Sequence, residues 1–62
     1  MSNELITLKK INNLDEKKMS YLAELNYDMY LSMEKADKNI PKENYLLAIQ
    51  RIKENLTDKN TA

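Results

Sequence analysis

Ser2, Ser20 and Ser32 are the side chains most readily pictured as nucleophiles, but a serine hydroxyl attacks only when a neighbouring base removes its proton. The chain has no His to do so. It has no Cys either, which removes the disulfide, the Fe–S cluster, the Cys-based zinc site and the thiolate nucleophile together. With the commonest general base and metal ligand both missing, no metal and no other cofactor is expected. Sixty-two residues also leave little chain with which to wall off a water-free pocket. The expectation is that this is not an enzyme.

What remains is recognition. Lys42, Asn44, Gln50, Arg51 and Lys53 are residue types that contact base edges and phosphates, so a DNA-reading helix-turn-helix has to be weighed. Against it stand ten basic residues cancelled by ten acidic ones, a scarcity of Arg, a long second helix and no compact three-helix core around a turn. The pairs Lys9–Lys10 and Lys17–Lys18 are separated by Asp15 and Glu16, the pattern of a solvated face. Direct nucleic-acid binding is therefore the secondary expectation, and a structural phage component, recognisable as a high-order oligomer, the third.

The longest apolar run, Tyr45 to Ile49, falls far short of the roughly 20 residues that cross a bilayer, so no membrane association is expected. Glu4, Lys9 and Lys10 interrupt any signal-peptide pattern, which makes the cytoplasm the expected location.

The elements that must carry these residues are helical. Val and Phe are absent, alternation is not sustained, and Leu, Lys, Glu, Met and Ala supply much of the chain. We read an all-α fold in a single small domain, with no internal repeat. Leu5, Ile6, Leu8 and Ile11 suit a short helix over 3–11. After Asn12 and Asn13, Asp15 is placed to cap a second helix, with Leu14 before it and Met19 at its fourth position as a hydrophobic staple, so a break here is favoured over its alternative, one continuous helix through 3–38. That second helix is expected to run from 16 to 38. On a helical wheel Leu25, Ala36, Met29, Leu22, Met33, Asn26, Met19, Tyr30 and Ala23 fall within an arc of about 160°. Pro41 then suits the start of a third helix over 41–56, with Asn39 the candidate left-handed terminator of the preceding one. Tyr45, Ala48, Ile49, Ile52 and Leu56 share one face of it. Residues 57–62 read as a flexible tail. The short connection between the second and third helices makes them a helical hairpin, with the first helix laid against it.

So small a chain buries only about 60% of its unfolded surface and rarely reaches more than about 3 to 5 kcal/mol from its core, so it needs outside help. Disulfides and metals being excluded, association supplies that help, and a homodimer is expected. Met19, Leu22, Met29, Met33, Ile49 and Ile52 are assigned to the core, although three thioethers on one face could also adapt to several partners. Tyr21, Tyr27, Leu31 and Leu47 lie off the main stripes and are the candidate protein interface. Asn26 falls inside the apolar arc, where a buried Asn can fix register and oligomeric state.

Between Glu24 and Ile49, under half of the chain, the order helix, short Asn39–Ile40–Pro41 turn, helix resembles the helical-hairpin interaction segment of the Sin-type repressor and antirepressor pair. The shared positions are Glu24 and Leu25 followed by Asn26, then Met33, Ala36, and Ile40 ahead of Glu43; the match needs a one-residue gap and lacks that family's Trp. The resemblance implies an antirepressor-type regulator that binds a transcription factor. The excess of Lys over Arg and the abundance of Asn and Ile suit an AT-rich genome, such as that of a Gram-positive bacterium or its phage. The expected function is accordingly a non-enzymatic protein–protein interaction module, an antirepressor or co-regulator, that modulates a larger protein.

Overall fold

The computed structural model describes the backbone of residues 3–61 and the side chains of residues 3–57. Four helices follow one another, α1 (Glu4–Ile11), α2 (Glu16–Ala23), α3 (Tyr27–Glu34) and α4 (Lys42–Thr61), and no strand occurs among the described residues. The all-α reading holds.

Three helix starts are fixed by short polar side chains. The Asn3 carboxamide oxygen accepts from the Leu5 N–H (2.9 Å), Asp15 accepts from Lys18 N–H (2.8 Å) and Asn26 accepts from Met29 N–H (2.8 Å). Each satisfies a first-turn donor that has no partner within its own helix, a contact worth about 1 kcal/mol. The cap expected at Asp15 is therefore present, and Leu14 before it packs against the core that contains Met19.

The single helix expected over 16–38 is two helices. At Glu24 the backbone turns left-handed (φ 60°, ψ 40°), Leu25 N–H donates back to Ser20 O (3.0 Å) and Glu24 N–H to Tyr21 O (3.1 Å), and Asn26 starts α3. This is the paired bonding of a Schellman terminator. A left-handed non-glycine residue costs about 1 to 2 kcal/mol. Folding α3 back brings Tyr30 and Met33, 0% and 1% exposed, into the same core as Met19, Leu22 and Ala23. Burial of two such side chains is worth about 1.5 to 3 kcal/mol each, so the break wins.

Asn26 is consequently an exposed cap of α3 and does not lie inside an apolar stripe, where the sequence reading places it. Ala36 is also left-handed (φ 59°), and with Asp37 N–H donating to Ser32 O (3.2 Å) it ends α3; Asn39, the expected terminator, is not left-handed. Backbone following Pro41 enters α4, whose helix continues to Thr61, past the end expected at Leu56 and through most of the stretch read as a tail; Ala62 lies outside the described residues.

The core joins all four elements: Leu5 from α1, Met19, Leu22 and Ala23 from α2, Tyr30 and Met33 from α3, Ala48 and Ile52 from α4. Helix α2 packs on both α3 and α4, and α1 on α3. Of the expected core residues, Met29 is exposed and Ile49 only partly buried, while Ile11, read as apolar face, is 74% exposed. The break at Glu24 explains Met29, since α3 no longer continues the direction of α2.

Candidate interaction surface

Two polar ties hold the scaffold that presents the surface. Lys9 on α1 donates to Glu16 at the start of α2 (2.9 Å) and to Glu34 at the end of α3 (3.1 Å), and the buried Tyr30 hydroxyl donates to Glu34 (2.5 Å). The hydrogen bond to Glu16, reinforced by Glu34, raises the Lys9 pKa above its ordinary value against the effect of burial. The same Lys9 contact lowers that of Glu16. Burial, then the bond to Glu34, pushes the Tyr30 phenol up. Lys9, Glu16 and Tyr30 thus move away from neutrality, which suits a latch and not a proton carrier.

The second tie is made by amides. Asn3 donates to Met33 O (2.8 Å) and Glu34 O (3.2 Å), and Asn55 donates to Leu22 O (2.6 Å), so side chains from α1 and α4 satisfy carbonyls at the ends of α3 and α2. No buried side-chain nitrogen or oxygen is left without a partner among the described residues.

On this scaffold the Ser20 hydroxyl is buried and donates to Lys17 O (2.8 Å), Ser32 is half-buried, and Ser2 lies outside the described residues. Among the described residues no group of His, Cys, Asp and Glu could hold a metal ion, and no helix is long and apolar enough to cross a membrane.

The four expected interface residues separate. Tyr21 is 74% exposed on α2, with the Lys18 ammonium 5.4 Å from its ring centroid. Tyr27 and Leu47 are 42% and 45% exposed. Leu31 is half-buried and packs against the core, a placement that follows from the new direction of α3.

Leu47 lines a groove of about 160 Å³ floored by Ala23, Met33 and Ala48 and walled by Leu25, Met29, Asn44 and Arg51. Met29, expected in the core, is its exposed α3 wall. A wider concavity of about 520 Å³ lies where α1, the α3–α4 connection and α4 meet, and Ile40, Tyr45, Leu46 and Ile49 line it. There the Tyr45 hydroxyl donates to Asp37 O (3.2 Å), and burial, with the Asp37 charge, raises its pKa.

One signal for the groove was present in the sequence. Leu25–Asn26–Tyr30 repeats the spacing of Leu14–Asp15–Met19, a leucine before a cap and an apolar residue at the fourth helical position. It marks the start of α3, and with it the turn that exposes Met29.

No protein-family model matches the chain, no curated protein matches its sequence, and no solved structure matches its fold.

Proposed function

We propose that the chain is a non-enzymatic regulator of the antirepressor or co-regulator type, a cytoplasmic homodimer that binds a larger protein such as a transcription factor. The observation that carries this reading is the groove between α3 and α4, where Met29 and Leu47 stay exposed although the core beside them is closed and every buried side-chain polar atom described has a partner. Exposed apolar side chains gathered at one concavity, with Tyr27 in the first turn of α3, are what a protein partner covers. The test is affinity capture from the source organism with the wild-type chain and with Leu47→Asp as baits. A protein held by the first and lost by the second supports the reading; the same set of proteins on both baits overturns it.

A second reading is duplex DNA binding, favoured by the α2–α3 unit itself. Two eight-residue helices joined by Glu24, Leu25 and Asn26, on a core shared with α1 and α4, have the chain plan of a helix-turn-helix, and they remove both structural objections raised from the sequence. The charges favour the protein partner: α3 carries Asp28 and Glu34 and neither Lys nor Arg. Phosphate contacts supply most of the affinity for DNA, and an acidic second helix repels them. Affinity for a labelled duplex that falls steeply with salt and is lost in Arg51→Ala would establish this second reading.

A further inference from the structure

We propose that the groove between α3 and α4 takes an amphipathic helix of the larger protein partner, one apolar side chain of that helix filling the groove and an Asp or Glu three or four residues from it meeting Arg51. The inference rests on the interaction reading above and deepens it by stating what the partner presents. Of the described residues that line the groove, Arg51 alone is charged, and all the others except Asn44 are apolar. Amide, apolar surface and cation follow one another along α4, where Asn44, Leu47 and Arg51 stand in line at spacings of three and four residues.

The guanidinium at the end of that ridge is not used within the protomer. Arg51 is half-buried, yet it makes no ion pair and no side-chain hydrogen bond among the described residues. No buried side-chain nitrogen lacks a partner there, so its nitrogens are open to the outside. A carboxylate is the group that a planar guanidinium holds with two parallel bonds, and apolar lining beside the pair strengthens it by keeping water away. The shape of the groove fixes the rest. Its volume of about 160 Å³ accommodates one ring or one branched aliphatic side chain, since a cavity of about 150 Å³ takes up benzene. Leu47 and Arg51 are one helical turn apart, about 6 Å along the axis, the separation of an anchor and a carboxylate on a helix laid alongside α4. An extended peptide draws its affinity from a strand edge, and no strand occurs among the described residues. Met29, exposed on the opposite wall, is the flexible contact that adapts to the shape of the anchor.

A displayed library of helical peptides, panned on the full wild-type chain and followed by anisotropy titration of the selected peptides, tests this. The wild type is expected to select a large apolar residue with an Asp or Glu three or four positions from it. Arg51→Glu should bind those peptides about tenfold or more weakly, with its helix content by circular dichroism unchanged. Replacing the selected acid by Lys should restore binding to Arg51→Glu to within about threefold of the original pair, because the two changes are coupled through one contact. Arg51→Gln, which keeps the length and loses the charge, should show the same loss and serves where the reversal disturbs α4. Peptides that Leu47→Asp no longer binds but that carry no acid at this spacing, or that bind Arg51→Glu as well as wild type, overturn the assigned chemistry and leave the interaction reading standing. Selection of no peptide, or affinity for a labelled DNA duplex that depends on Arg51 in place of peptide binding, also overturns it. The interaction reading itself fails separately, when wild type and Leu47→Asp capture the same proteins.

Discussion

The turn between α1 and α2 and the turn between α2 and α3 close with the same bonds and are written in different residues. In the first, Asn13 is left-handed (φ 55°), its N–H donates to Lys10 O (3.2 Å) and Leu14 N–H to Lys9 O (2.9 Å), and Asp15 caps the next helix. In the second, Glu24, Leu25 and Asn26 take those three parts in the same order. Asn tolerates the left-handed region and advertises a break; Glu favours helix and hides one. The difference teaches that the leucine and the cap define such a turn, and that the left-handed residue is whatever the sequence leaves between them. With no Gly in the chain, the three left-handed positions among the described residues are held by other residues, Asn13, Glu24 and Ala36.

The largest effect on this pair of turns is expected from Lys9, which precedes the first turn and reaches past both. Its side chain is 16% exposed and bridges two carboxylates, so Lys9→Met should cost about 2 kcal/mol in a urea titration by leaving the half-buried Glu34 without its cation. The pH dependence follows from the shifts. Lys9 has a raised pKa, so its contribution is complete below the ordinary lysine value and is lost as the pH rises through the higher folded value. Glu16 has a lowered pKa, so its contribution is present above the ordinary glutamate value and is lost as the pH falls through the folded one. Thermal melts across pH should show both losses in the wild type, and neither as far as it depends on this pair in Lys9→Met.

Carbonyl capping separates the turns next. At the first, Asn12 donates to Leu8 O (2.9 Å) from an exposed position; at the second, Asn55 reaches Leu22 O (2.6 Å) from α4. Asn55→Ala should cost about 1 to 2 kcal/mol because it strands a part-buried carbonyl, whereas Asn12→Ala should cost less than about 0.5 kcal/mol where water replaces the amide. Equal losses in thermal melts would show that the tertiary tie is no stronger than the local one.

The caps should behave alike. Asp15→Ala and Asn26→Ala are each expected to lose about 1 kcal/mol, and a much smaller loss for Asn26 would mean that α3 starts without it. The smallest effects are gains. Glu24→Gly should stabilise by about 0.5 to 1 kcal/mol by relieving a left-handed β-carbon, and Asn13→Gly by a few tenths at most, since Asn already accepts that conformation.

Legibility followed the same division. The α1–α2 turn, the caps at its end and the buried face of α4 were readable because local chemistry decides them: Asn12–Asn13 break a helix, Asp15 starts one, and Tyr45, Ala48, Ile49, Ile52 and Leu56 repeat with the helical period. The α2–α3 turn was not, because Met19, Leu22, Met29, Met33 and Ala36 also fit one continuous stripe and no Gly or Pro interrupts them. The candidate surface was readable in part. Tyr21, Tyr27 and Leu47 lie off the stripes and are exposed, while the positions of Leu31 and Asn26 depend on α3 turning away from the line of α2.

By itself the sequence determined the helical class, the absence of thiol and imidazole chemistry, the balance of charge and most of the side chains that go inside, since composition and period depend on near neighbours alone. The tertiary structure decided where the chain doubles back, which methionine faces water and which amides cap which carbonyls. The physical reason is that a left-handed Glu24 costs about 1 to 2 kcal/mol locally and is repaid only when Tyr30 and Met33 meet α2 in the core, a gain that no local window of residues contains.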